Sequence, residues 1–203
     1  MTTITKKSPR SYHHGDLKEA LVEAAVSIIR AKGVEALTIR DVAKRTGVSP
    51  AAPYRHFPDR RSLIAAVAER GFIRLQQAMI AGMESARGRE GFKQVAIAYV
   101  EFGLNNPAEY RVMFGPEAAD TTDFPSLRET SRAVLGGVAE AVTQLQKAKL
   151  IGKGDAWLIA AALWSTLHGL VMLVLDGQTA KVADTREIVE EATRIVMFGM
   201  APR

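Results

Sequence analysis

The 203 residues are 47% hydrophobic and 24% charged, enough apolar material for a sizeable core in one or two domains and too much for a disordered or low-complexity chain. The absence of cysteine excludes disulfides, thiolate metal sites and cysteine nucleophiles. The net charge of +5 is unevenly placed: residues 1–61 carry twelve Lys and Arg against six Asp and Glu, whereas residues 62–203 sum to −1. Attraction to an anionic partner such as nucleic acid therefore belongs to the first third of the chain.

Along the chain, the first ten residues are polar and basic and lead into Ser11-Tyr-His-His14-Gly15, with no apolar export signal, so a cytoplasmic location is expected. Leu17, Leu21, Ala24, Ala25, Ile28 and Ile29 make one helical stripe over Asp16–Lys32, stopped by Gly33. Thr38 and Asp41 resemble a capping box for a short second helix with Ile39, Val42 and Ala43 inward, ending before Gly47. A third helix is expected immediately after, capped by Ser49 with Pro50 at its first position. Pro53, at the fourth, is expected only to distort the first turn.

A fourth helix starts at Asp59 and continues through Ile64, Val67, Phe72, Leu75, Met79 and Met83 to a break at Arg87–Gly91. A fifth covers about Phe92–Leu104, a short one Tyr110–Phe114, and Gly115-Pro116 and Phe124-Pro125 bound a loop. Ser126 and Glu129 suggest another capping box, opening a helix with the seam Leu127, Ser131, Val134, Val138, Ala141, Leu145 and Ala148. Ala156–Leu175 has no charged side chain and is long enough to span a bilayer. Its flanks are Asp155 and Asp176 rather than Lys or Arg, and Ser165, Thr166 and His168 lie near its middle, so a bundle or subunit-interface helix is preferred to a membrane span. Asp184 and Glu187 open a last helix with Ile188, Ala192, Ile195 and Val196 on one face. The sum is an all-α fold of about nine helices: a three-helix N-terminal domain over 1–61 and a larger helical domain over 62–203.

The second and third helices, joined at Gly47-Val48, have helix-turn-helix spacing. An ordinary αα corner has the same spacing, but Arg40, Lys44, Arg45, Arg55, Arg60 and Arg61 crowd this one, a density of cations suited to duplex phosphates. A groove-bound helix would present Pro50, Ala51 and Ala52, with Tyr54 and His56 close by. The chain has no glycine-rich phosphate loop, no H-E-x-x-H and no assembled Ser, His and Asp set, so no enzyme or cofactor is expected. His13 and His14 beside Asp16 lack the i, i+4 spacing of a helical metal site.

The run Thr38-Ile-Arg-Asp-Val-Ala-Lys-Arg-Thr-Gly-Val-Ser-Pro-Ala-Ala-Pro-Tyr-Arg-His-Phe-Pro-Asp-Arg-Arg-Ser-Leu63, preceded by Ala24-Ala25 and Lys32-Gly33, resembles the DNA-binding domain of the TetR (tetracycline-repressor) family of bacterial regulators. Tyr54-Arg-His-Phe57 is its most specific part. Asn106-Pro107 through Phe114, and Trp164-Ser-Thr-Leu-His168-Gly169, are similar to the ligand-binding region of the subgroup named for Trp, His and Gly.

The resemblance implies roles for individual residues. Thr38 would bond a phosphate, and Arg40 a base edge or a phosphate. Pro50, Ala51 and Ala52 would face the groove, while Tyr54, Arg55, His56 and Arg60 would hold phosphates on either side. The sequence departs from the family pattern at Pro53, where a large aliphatic is commoner, and at Arg60, where Lys is. The resemblance further implies a homodimer through the last two long helices, reaching successive major grooves of a palindromic operator about 34–36 Å apart. It also implies a small-molecule effector, with Tyr99, Phe102, Met113, Phe114, Trp164, His168 and Met172 as candidate contacts. Taken singly, most of these residue types at helical spacing are core, and His168 is either a satisfied core group or a ligand contact. The alternative function is an architectural DNA-binding protein without sequence preference or effector.

Overall fold

The structure, a computed structural model, describes residues 14–179 and 185–199. The basic arm through His13, and Asp184 and Met200 of the last helix, lie outside the described residues. All regular structure among the described residues is helical, and the chain divides into two compact units, one ending at Leu63 and one beginning at Ile64.

The first unit contains α1 (His14–Lys32) and α2 (Ile39–Thr46), followed by a 3₁₀ turn at Pro53–Arg55. The α1 stripe buries Leu21, Ala25 and Ile29, and α2 lays Ile39, Val42 and Ala43 against it. Thr38 caps α2: its Oγ1 accepts the Asp41 N–H at 3.1 Å and donates to the Asp41 carboxylate at 2.6 Å. Gly47 ends the helix at φ 71°, sending its N–H back to the Ala43 and Lys44 carbonyls. A side chain there would be strained by roughly 1–2 kcal/mol, so the sharp exit needs glycine. Phe57, 3% exposed, closes the core.

The expected third helix is not formed. Pro53 has no N–H to return to the Ser49 carbonyl, and that carbonyl instead accepts from Ala52 at 3.0 Å. The segment then tightens into i to i+3 bonds, Arg55 N–H to Ala52 at 3.3 Å and His56 N–H to Pro53 at 2.9 Å. Pro53 therefore removes the regular helix rather than distorting one turn, and its own ring is buried.

The long helix α3 (Arg60–Ser85) begins in a reciprocal cap, with Ser62 N–H on Asp59 Oδ1 at 2.7 Å and Asp59 N–H on Ser62 Oγ at 3.3 Å. In the second unit follow α4 (Gly88–Asn105), α5 (Pro107–Met113), α6 (Pro116–Ala119), α7 (Pro125–Lys147), α8 (Ala156–Leu175) and α9 (Thr185–Gly199). The α3–α4 break is only Ala86-Arg87, because burial of Phe92 and Val95 in α4 outweighs the roughly 1 kcal/mol that a glycine costs a helix. The capping box expected at Ser126 is also absent: Phe124 is the cap residue, so α7 starts two residues earlier with Pro125 in its first turn, and Ser126 Oγ donates to Glu69 of α3 instead.

Helix α8 is central, packing on α4, α7 and α9. It closes against α4 at Gly103, where a β-carbon would meet Val171 Cγ1 at 2.6 Å and the Tyr110 ring at 3.1 Å. It is also the one helix among the described residues long and apolar enough to cross a membrane, and most of it is not buried within the single chain. Trp157 and Leu158 on its outer side are 59% and 70% exposed.

Candidate functional site

Two surfaces carry chemistry, one in each unit. In the first, Thr38, Arg40, Pro50, Ala51, Tyr54 and Arg55 are exposed, with Ala52 and His56 half-buried. The 3₁₀ turn packs on α2, so these residues belong to two adjoining elements of one small unit. Lys44 and Arg61 are exposed as well. Such a surface can meet phosphates with cations and base methyl groups with the Pro50 ring and the alanines.

Two of the expected phosphate ligands have other partners. Arg60 is half-buried, and its Nε and Nη2 donate to the carbonyls of Leu37 and Val34 at 2.9 and 2.6 Å. It thus ties down the α1–α2 connection, a task that Arg performs with its forked donors. The Thr38 hydroxyl hydrogen is held by Asp41, leaving an oxygen acceptor that phosphate cannot use. The spacing of the sequence placed both side chains near the surface but could not show these bonds.

The second unit holds a cavity of about 410 Å³ bounded by α3, α4, α7 and α8 and the α5–α6 segment. Its walls are mainly apolar, and Tyr99, Met113, Phe114 and Trp164 are among them. Phe102, His168 and Met172 are not. Phe102 is turned toward α3, its ring 5.8 Å from the Arg74 guanidinium. His168 lies behind the aromatic wall, its ring 4.7 Å from Phe114 and stacked on Tyr110 at 5.5 Å. Met172 follows one turn later on α8, half-buried.

Tyr110, absent from the residues singled out in sequence, organises this wall. Trp164 Nε1 donates to Tyr99 Oη at 3.0 Å, the Tyr99 and Tyr110 hydroxyls are 2.8 Å apart, and Tyr110 Oη is 2.8 Å from His168 Nδ1. Burial pushes the Tyr99 phenol up to about 12 and raises Tyr110 further, while burial lowers His168, favouring neutral imidazole. With the proton on Nε2, every hydrogen between Trp164 and Nδ1 has an acceptor: Trp164 to Tyr99, Tyr99 to Tyr110, Tyr110 to Nδ1. A proton on Nδ1 reverses the last two bonds and strands the Tyr99 hydrogen. The Trp164 and His168 that stand out in the sequence are therefore the two ends of one chain of hydrogen bonds, and only Trp164 borders the cavity.

Below this wall Glu109, 1% exposed, sits between Arg74 at 2.5 Å and Arg70 at 3.4 Å. It anchors α5 to α3, and Arg74 also reaches the Asn106 side chain at 3.1 Å. Among the described residues no group of three or more His, Cys, Asp or Glu side chains is placed to hold a metal.

Comparison with known proteins supplies the wider setting. Residues 21–67 match the family model described as bacterial regulatory proteins, tetR family, and residues 92–196 match that of the tetracyclin repressor-like C-terminal domain. An uncharacterised HTH-type transcriptional regulator of Bacillus subtilis, YobS, is 23% identical over 190 residues, spanning 92% of this chain and 93% of its own. A protein of unknown function from Rhodococcus sp. RHA1 has a solved structure that superposes with a TM-score of 0.82 at 35% identity, covering 95% of this chain and all of its own. A TetR family transcription regulator from Marinobacter aquaeolei VT8 gives 0.70 at 22% identity over 92% and 96% of the two chains.

Proposed function

From the premise that this chain belongs to the tetR family of bacterial transcription regulators, we propose that it is a repressor that binds a palindromic operator as a homodimer and leaves it when a small molecule occupies the C-terminal cavity. The family consists of transcription factors rather than enzymes. The observation that carries the effector reading is the cavity of about 410 Å³, within the size range of small-molecule sites. An architectural DNA-binding protein has no use for it.

In this reading residues 1–61 contact DNA, with Arg40, Tyr54, Arg55 and His56 on phosphates or base edges and Pro50, Ala51 and Ala52 toward the groove. Residues 62–203 sense and dimerise, and Trp164, His168 and Gly169 support a likeness to the Trp-His-Gly subgroup. The dimer forms through α8 and α9: Trp157, Leu158 and Leu173 of α8 and Ile195 of α9 expose large apolar side chains, and a two-fold axis would cover both copies of that face at once. Effector binding lowers DNA affinity by favouring a dimer geometry in which the two reading surfaces no longer match successive grooves. A cytoplasmic location follows from this role.

Selection of genomic fragments by the purified protein at physiological salt, followed by a metabolite screen for release, tests the reading. A palindromic site and at least one releasing compound are expected. Enrichment of fragments without a common palindrome would favour the architectural alternative and overturn the operator assignment.

A further inference from the structure

The polar capacity of the cavity is unevenly distributed. Its aromatic side offers little, because the Trp164 N–H and the Tyr99 hydroxyl are joined to each other and to Tyr110. On α7, in contrast, Arg128 and Arg132 line the same cavity and are exposed. They are one turn apart, an arrangement in which like charges repel unless an anion lies between them. Among the described residues neither has an ion-pair partner and no carboxylate borders this cavity.

Beyond the arginines the walls are mainly apolar, with Thr121 and Ser131 as the small polar exceptions in the first cavity, and they extend further than one cavity. A second cavity of about 560 Å³ lies along α3, α4 and α7, and Met79, Val95, Val134 and Val138 border both. From Arg132 to Leu145, which lines the second cavity, α7 advances roughly 20 Å at its ordinary rise per residue. Among the described residues Glu140 is the one acidic residue lining the second cavity, so negative charge is disfavoured at that end and favoured at the arginines.

Resting on the reading of the C-terminal cavity as the effector site, we propose that its ligand is an amphipathic organic anion, an elongated hydrocarbon body with a single carboxylate head seated between Arg128 and Arg132. The guanidinium pair supplies forked donors for the head. The track between α3, α4 and α7 takes the body, whose burial drives binding.

Calorimetric titration of the full-length protein with decanoate, 1-decanol and decyltrimethylammonium, all below their aggregation thresholds at pH 7.5, tests this directly. Decanoate is expected to bind at least tenfold more tightly than decanol, with the cation weaker still. An Arg128→Gln, Arg132→Gln variant should bind decanoate no better than decanol while keeping its affinity for decanol, which shows that the cavity remains folded. Equal binding of decanoate and decanol, no binding of decanoate, or undiminished decanoate binding by the variant overturns the proposal. Because calorimetry involves no DNA, the two readings separate. Decanoate that binds but leaves the operator complex intact counts against release by this ligand and not against the anion site, whereas release by a neutral or cationic compound with no decanoate binding refutes the anion site alone.

Discussion

In the first unit polar and cationic side chains stand outside a small core closed by Leu21, Val42 and Phe57, whereas in the second the polar atoms of Tyr99, Tyr110, His168 and Trp164 turn inward and satisfy one another. The outward arrangement leaves Arg40, Tyr54 and Arg55 available to a large, uniformly charged partner, and little has to move for contact. The inward one leaves a wall whose polar atoms are already paired with one another, so that in the proposed effector reading selectivity rests on the polar groups at its edge. Charge follows the same division: the surplus lies in residues 1–61, while the remainder is nearly neutral and has Arg128 and Arg132 among the residues lining its cavity.

The largest effect should come from the uncovered face of α8. Leu158→Asp changes a side chain that is 70% exposed in the single chain, so the circular dichroism spectrum should be unchanged while sedimentation shows a monomer and operator affinity falls at least about 100-fold. A dimer that persists with full affinity would move the interface elsewhere.

Next is Tyr110→Phe, which removes the donor to His168 Nδ1 and the acceptor for Tyr99. Leaving the buried Tyr99 hydroxyl and the half-buried His168 Nδ1 without these partners should lower unfolding stability by about 2 kcal/mol in denaturant titration. The pH dependence has a definite sign. Burial in the folded state holds the His168 pKa below the ordinary imidazole value of 6.5, so the unfolded chain takes up more protons as pH falls. Stability should therefore decline as pH drops below about 6.5, with no contribution from this group above it. In His168→Asn that part of the decline should vanish.

The smallest effect is expected at the DNA surface, where Arg40→Ala removes one contact per subunit. Affinity should fall about tenfold and the log–log salt slope should lose roughly two units in a dimer, with Arg128→Gln leaving both unchanged. Arg60→Ala distinguishes the two kinds of arginine: with its donors on Leu37 and Val34, it should reduce the stability of the N-terminal unit more than the slope.

Much of this architecture is legible in residue order because it depends on local rules. The apolar period of α1, the Thr38 cap, the stop at Gly47, and the unbroken apolar run of α8 all act within a few residues. The same rules overreached at Ser49–Pro53, where a missing N–H outweighed a favourable cap, and at Ser126, where Glu69 of another helix took the hydroxyl. Tyr110 escaped attention because its importance rests on Tyr99 and His168, 11 and 58 residues away in sequence.

The sequence by itself determined an all-helical chain, its basic first third, and the residue types of a DNA surface, since helix periodicity, capping and charge are properties of neighbours. Tertiary structure alone decided which aromatic residues line the cavity, that Arg60 braces a loop, and that Arg128 and Arg132 stand beside an apolar space. Those outcomes depend on which distant groups become neighbours when helices pack, and hydrogen bonds and burial are settled only there.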